Sequence, residues 1–88
     1  MAIVRRLVLD ILKPHQPNVL TFSNAIADVA DCAVKVVVLE VDEHTETLRV
    51  EIEGDSLDFA AIEKAIADAG ASLHSIDEVA VVSESGEA

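Results

Sequence analysis

Residues 46–53 alternate strictly between polar and apolar side chains, which is the pattern of a β-strand with one buried face. The preceding segment, residues 34–43, is rich in β-branched valine and is predicted to form a second strand. Only His44 and Thr45 separate the two segments, so they are predicted to pair as a β-hairpin. The middle of the 88-residue chain is therefore predicted to be antiparallel sheet.

Strand and helix patterns flank this hairpin on both sides. Residues 3–12 alternate as a first strand, which is predicted to end before the loop of residues 13–17 because that loop holds two prolines. Apolar residues at helical spacing predict helices over residues 19–31 and 59–69. Residues 72–82 are predicted to form the last strand.

The element order is β-α-β-β-α-β, in a predicted single domain of residues 1–88 whose last residues, 83–88, are expected to form a flexible tail. Right-handed crossovers give a four-stranded antiparallel sheet of order 4-1-3-2. Both helices then lie on one face of the sheet. The predicted fold class is α+β, a ferredoxin-like βαββαβ sandwich.

The sheet face away from the helices is predicted to be apolar and uncovered. A soluble monomer rarely exposes a large contiguous apolar patch, and a chain this short is marginally stable alone. We therefore expect a homo-oligomer that covers this face or pairs the sheet edges; a monomer with an apolar sheet face is the alternative. The predicted interface residues are Val4, Val8, Val36, Val38, Arg49, Asp77 and Glu78.

Arg49 is predicted to lie near the centre of that uncovered face. Asp10 is expected on one side of it, and Glu40 or Asp42 on the other. Such an arginine either belongs to a structural ion-pair network or holds an anionic ligand. The sequence leaves both roles open.

Three histidines far apart in sequence are predicted to meet at one end of the domain. In this topology the loop after the first strand, the hairpin turn and the start of the last strand share that end, and each carries a histidine. Histidine and carboxylate side chains can bind a borderline divalent metal ion; solvated loop residues are the alternative. The predicted metal ligands are Asp10, His15, Glu40, Asp42, His44 and His74.

Composition limits the partners and the compartment. The chain has 17 Asp and Glu against 6 Lys and Arg, for a formal net charge of −11. Neither nucleic acid nor an anionic membrane surface is therefore an expected partner, and no apolar run approaches the length of a membrane span. Cys32 is the only cysteine, which fits the cytoplasm. An acidic, lysine-poor surface suits high salt, so we expect a halophilic source.

The sequence carries no phosphate-binding glycine loop, no HExxH pattern and no serine nucleophile elbow. Three classes of function stay open. The first is a non-enzymatic and perhaps regulatory binding module for a divalent cation or small anion. The second is a structural or protein-interaction subunit without a ligand. The third is an enzyme whose site forms between chains from Asp10, His15 or Glu78.

Two motifs resemble the archaeal family of domain of unknown function 211. One is RRLVLDILKPH at residues 5–15 followed by Pro17, and the other is HSIDEV at residues 74–79. The resemblance covers essentially the whole chain. It implies a ferredoxin-like fold, ring-like or larger homo-oligomers and no established activity, and it suggests bound divalent ions. The matching positions, to which no roles are attached, are Asp10, Lys13, His15, Ser75, Asp77 and Glu78.

An archaeal origin agrees with the acidic surface. The first loop, KPHQP, lacks the CxxC motif of the ferredoxin-like metal chaperones. That difference argues against a role in handling soft metal ions.

Overall fold

In a computed structural model that describes residues 2–84, strands and helices follow the predicted order. The strands are β1 (Ala2–Pro14), β2 (Ala33–Val41), β3 (Thr45–Glu53) and β4 (Ser72–Ser83), and the helices are α1 (Val19–Ala30) and α2 (Phe59–Asp68). The sheet is antiparallel with strand order β2-β3-β1-β4. The predicted ferredoxin-like βαββαβ fold is confirmed. Within residues 2–84, neither helix has the length and apolar character needed to cross a membrane.

Most strand boundaries differ from the sequence prediction by one or two residues, and β2 ends at Val41 rather than at residue 43. β1 continues to Pro14, which pairs with Thr45 at the end of the ladder, where its missing N–H leaves no gap inside the sheet. Ser83, which was expected in the tail of residues 83–88, is the last residue of β4. The remainder of that predicted tail, residues 85–88, lies outside the described residues.

Both helices begin at side-chain caps. The Asn18 carboxamide oxygen accepts the Thr21 N–H at 2.8 Å, and a carboxylate oxygen of Asp58 accepts the Ala61 N–H at 3.2 Å. The first amide groups of a helix have no partner within the helix, so these caps stabilise the two helix starts.

The core lies between the helices and one face of the sheet, here called the helix-covered face. Alternate residues of β1 and β3 are 0–2% exposed there, and so are the inward residues of the helices. Burial of each such aliphatic side chain contributes about 1.5–3 kcal/mol. The most buried members are Leu7, Leu9, Ile11, Phe22, Ile26, Leu48, Val50, Ile52, Ile62 and Ile66.

Three of the predicted interface valines lie on the opposite side of the sheet from the one expected. Val36 pairs with Val50 and Val38 pairs with Leu48, and paired residues share a face, so both lie on the helix-covered face. The face of the sheet on which these two valines lie was predicted wrongly, because a run of consecutive valines shows no alternation of polar and apolar residues. Val4 also packs against the core, since the pairing of β1 with β4 shifts register just after it.

The opposite face, here called the open face, is mostly polar. Its residues form four rows across the sheet from β2 through β3 and β1 to β4. The rows are Ala33–Glu53–Arg6–Ala80, Lys35–Glu51–Val8–Glu78, Val37–Arg49–Asp10–Ser75 and Glu40–Thr47–Leu12–Ser72. The expectation of a bare apolar face was wrong, because charged residues occupy the middle rows and Val8 among them is only 6% exposed.

Exposed aliphatic side chains concentrate instead on the two edge strands of the sheet. On β2 and β4 they are each between 42% and 61% exposed. An uncovered edge strand with aliphatic side chains is a site where another chain can add to the sheet. These residues are Val38, Leu39, Val41, Ile76, Val79 and Val81.

Candidate functional site

Lys13, at the end of β1, has a fully buried side chain. Its Nζ donates hydrogen bonds to the carbonyl oxygens of Pro14 at 2.7 Å and Pro17 at 2.5 Å. The same ammonium lies 3.0 Å from a carboxylate oxygen of Glu46 on β3. A buried ammonium is stable only when it is paired and hydrogen-bonded. The loop after β1 and the neighbouring strand together meet that requirement.

His15 joins this cluster to the hairpin turn. Its Nδ1 lies 3.4 Å from Glu46, and its Nε2 lies 3.0 and 3.1 Å from the carbonyl oxygens of Asp42 and Glu43. Because both ring nitrogens face acceptors, the protonated imidazolium, which donates from both, fits best. The contact with Glu46 and then that with the Glu43 carbonyl raise the pKa of His15. The Lys13 ammonium is the main cause of a lowered pKa at Glu46.

Asp42 and His44, two of the predicted metal ligands, build the hairpin turn. A carboxylate oxygen of Asp42 accepts the N–H of His44 at 3.1 Å, and the N–H and hydroxyl of Thr45 at 3.0 and 3.1 Å. The two backbone hydrogen bonds are the main cause of a lowered pKa at Asp42. The His44 side chain is 84% exposed and lies 3.8 Å from Glu43.

Asp10 and His74 are two predicted ligands that the structure brings together. A carboxylate oxygen of Asp10 lies 3.2 Å from Nδ1 of His74. With Ile11, Leu12 and Thr47, the pair lines a cavity of about 240 Å³. A carboxylate and an imidazole are suitable ligands for a divalent metal ion, but a tetrahedral site needs four ligands. The His74 side chain is 77% exposed, so further ligands can approach from outside the chain.

The six predicted ligands do not form one cluster within a single chain. Within residues 2–84, no three His, Cys, Asp or Glu side chains converge closely enough to hold a metal ion. All three histidines lie toward the same end of the sheet, but His15 contacts the turn while His74 contacts β1. Glu40 is on the edge strand β2, opposite Thr47. A site completed by a second chain stays a prediction.

Arg6, rather than Arg49, organises the charges of the open face. Arg6 donates hydrogen bonds to Glu78 and to Glu51, the latter at 3.0 Å, and lies 3.2 Å from Glu53. The hydrogen bonds to Glu78 and then to Glu51 raise the pKa of Arg6, and Arg6 is the main cause of a lowered pKa at Glu51. One guanidinium thus links three of the four strands.

Arg49 has only one of its two predicted neighbours. Asp10 lies opposite it on β1, as expected, but the residue opposite on β2 is Val37 and not Glu40 or Asp42. Glu40 pairs with Thr47 instead, which places it one row away from Arg49 toward the hairpin turn. The nearest ion pair of Arg49, at 3.5 Å, is with a glutamate of its own strand. This geometry is that of a structural ion-pair network.

The predicted interface residues fall into two groups. Val4 and Val36 pack against the core, and Val8 is buried, so these three offer little surface to another chain. The others are exposed, and contact with a second chain stays a prediction for them: Val38, Arg49, Asp77 and Glu78.

Glu46 and Arg6 were not among the predicted site residues, and Lys13 was named only as a family-matching position to which no role was attached. A signal for Lys13 was present, because it continues the alternation that places Leu9 and Ile11 on the buried face. A lysine at a strand position that faces the core requires a carboxylate or carbonyl partner. Glu46 lies directly opposite Lys13 on β3. Nothing in the sequence distinguishes Arg6 from other strand arginines.

The element order, the sheet topology and the two helices define an α+β ferredoxin-like domain with a polar open face. A family model named DUF211 and described as "Uncharacterized ArCR" matches residues 5–85, and the chain belongs to this family. A Methanocaldococcus jannaschii protein described as "Uncharacterized protein MJ0319" is 43% identical over 77 residues, which cover 86% of this chain and 79% of that protein. The suspected family is confirmed, and neither description names an activity or a ligand.

We expect Lys13→Met to lower the free energy of unfolding by about 3 kcal/mol or more, because removal of one partner leaves the Glu46 carboxylate without its nearest cation. The double variant Lys13→Met, Glu46→Gln should regain part of that loss. The control is Lys64→Met, since the Lys64 side chain is 77% exposed. Chemical denaturation measures all three, and equally small losses at Lys13 and Lys64 would contradict the burial of the ammonium.

The free energy of unfolding should also fall as pH rises through the pKa of His15. The folded pKa is raised above the unfolded value of about 6.5. The stability from the imidazolium is therefore complete below about pH 6.5 and is lost as pH rises through the folded pKa. Denaturation at a series of pH values should show this decline in the wild type and in His44→Gln, but not in His15→Gln. A decline of the same size in His15→Gln would rule out the contact with the turn as its cause.

Proposed function

We propose that the protein is a homo-oligomeric, non-enzymatic binding module of a regulatory kind, which binds a divalent cation at a subunit interface. The observation that carries this proposal is the contact between the exposed His74 and the half-buried Asp10 beside an open cavity. Two side chains of metal-binding chemistry meet there, and the described residues of the chain supply no third to make a cluster. A cation fits better than a small anion, because a carboxylate forms half of the pair.

Association between copies would supply the missing ligands. Metal sites shared between chains need an interface that brings exposed side chains together, and the aliphatic residues of β2 and β4 support such an interface. The small size of the described domain supports it as well, because small domains commonly gain stability from a partner subunit or a metal.

The proposed setting is the cytoplasm of a halophilic archaeon. A net charge of −11 repels itself at low ionic strength, and concentrated salt screens that repulsion. The single cysteine, Cys32, agrees with a reducing compartment. Membership in DUF211 supports the archaeal part of the proposal.

The metal site is tested by titrating Zn²⁺ or Mn²⁺ into the protein in concentrated KCl and measuring how tightly the ion binds. In parallel, light scattering follows the native mass with and without EDTA. His74→Ala and Asp10→Asn should each weaken binding by roughly tenfold or more. His44→Ala removes an exposed histidine outside the pair and should bind as the wild type does. Equal binding by all three variants, or none by the wild type, would contradict the site. A defined oligomer that ignores EDTA would favour a purely structural subunit.

Thermal unfolding should show whether the acidic surface requires salt. We expect the unfolding midpoint to fall steadily as KCl is diluted from molar to millimolar concentration, because the self-repulsion of the chain grows as screening is lost. The surface ion pairs of Arg6 would instead contribute more stability as KCl is diluted, because salt weakens them. A midpoint that is unchanged or higher in dilute salt would contradict a halophilic adaptation.

A further inference from the structure

We infer that the groove between α1 and α2, here called the helix groove, binds a basic amphipathic helix of another protein. The apolar side chains of that partner enter the groove, and its lysine or arginine side chains meet acidic residues at the rim. The helix groove lies on the helix side of the sheet, whereas the Asp10–His74 pair lies toward the open face. The inference therefore goes beyond the proposed metal site and does not depend on it.

Regularly spaced residues of the two helices form the walls of the helix groove. Thr21, Ala25 and Val29 follow one another at intervals of four residues and make one ridge along α1. Ala65 and Ala69, one turn apart, belong to the facing wall on α2. Three of these five side chains are alanine, so the facing walls are short and the outer part of the seam between the helices stays unfilled.

The unfilled space is large enough for a partner's side chains. Its volume is about 270 Å³, and the ring of the buried Phe22 contributes to its lining. An engineered cavity of about 150 Å³ binds benzene, so the helix groove has room for one or two leucine or phenylalanine side chains. Val29 is 51% exposed at its edge. Exposed apolar surface rimmed by polar residues is typical of a protein interaction site.

The helices form the most acidic side of the domain. Lys64 is the only basic residue among residues 18–31 and 55–70, and the other five Lys and Arg of the chain lie on β1, β2 and β3. The acidic residues of the same two segments are Asp28, Asp31, Asp55, Asp58, Glu63 and Asp68.

Two of these carboxylates belong to the helix groove or lie beside it. Asp68 lines the groove, and Asp28 follows Ala25 by three residues and so lies on the same side of α1. Both are exposed. Asp68 already accepts a hydrogen bond from the ammonium of Lys64 at 2.8 Å, which shows that an ammonium fits at this rim. The partner's cations therefore have carboxylates to meet on both walls.

This charge distribution selects the partner. Nucleic acid and anionic membranes are negatively charged, and a second copy carries the same net charge of −11, so all three are repelled from an acidic rim. The ridge from Thr21 to Val29 extends over about 12 Å, or two helical turns. A helix that lays its apolar stripe in a groove makes contacts over this length through side chains three or four residues apart. Its flanking lysine or arginine side chains then reach the rim.

The test measures binding of a labelled model helix by fluorescence anisotropy. The probe is a peptide of about 18 residues, long enough to form a helix, with leucine at helical spacing and lysine elsewhere. Its control has glutamate in place of every lysine. The lysine peptide should bind the native protein in concentrated KCl and bind more tightly as KCl is diluted. The glutamate peptide should not bind.

Matched variants locate the binding surface. Val29→Asp should weaken binding of the lysine peptide by about tenfold or more, because it places a charge at the apolar groove. Leu20→Asp makes the same change on α1, at a side chain that is 70% exposed and outside the groove, and should bind as the wild type does. Asp68→Asn should weaken binding by about two- to fivefold, whereas Glu63→Gln, outside the groove on α2, should not. Far-UV circular dichroism checks folding, and Ala25→Gln replaces Val29→Asp if that variant unfolds.

Four results would overturn the inference. They are no binding of the lysine peptide, equal binding of the glutamate peptide, equal binding by Val29→Asp and Leu20→Asp, and a lower native mass of Val29→Asp without peptide. The third would indicate general attraction between opposite charges, and the fourth would make the groove an interface between copies. Loss of metal binding in Asp10→Asn with unchanged peptide binding would concern the proposed metal site alone.

Discussion

The register of β1 between β3 and β4 decides where every side chain considered for function lies. β1 pairs on both sides, and Leu7, Leu9 and Ile11 carry the centre of the core. The intervening residues, including Asp10, then face away from the helices. A slip of one residue would exchange the two sets, which would bury charge and expose the core. The rows across the sheet, and so the residues that reach its two edges, follow from this register.

The two groups of residues around His15 and His74, at the end of β1, differ in how many of their polar atoms are bonded within the chain. Around Lys13 the ammonium, the Glu46 carboxylate and the His15 ring are bonded to one another or to loop carbonyls, so the cluster stabilises the loop against the hairpin. The Asp10–His74 pair is more exposed and lines a cavity. The exposed carboxylate–imidazole pair is the better candidate for binding a ligand, whereas the more fully bonded cluster is the better candidate for stability.

Periodicity was enough to predict the elements and their order, because alternation in residues 46–53 and helical spacing in α1 and α2 are local signals. It failed where pairing overrides local pattern. The register shift after Val4 moved that residue into the core, and the valines around Val36 carried no phase to follow. The burial of Lys13 depended on loop carbonyls that fold back on it, and the charge network of Arg6 depended on side chains from three strands, which no local window contains.

Hydrogen–deuterium exchange of the native protein in concentrated KCl tests the central claim, the register of β1 between β3 and β4. The account predicts that the amides in the middle of β1 exchange most slowly, because this strand is hydrogen-bonded on both sides within the sheet and carries the centre of the core. Exchange of those β1 amides as fast as that of the outward amides of β2 would contradict the account.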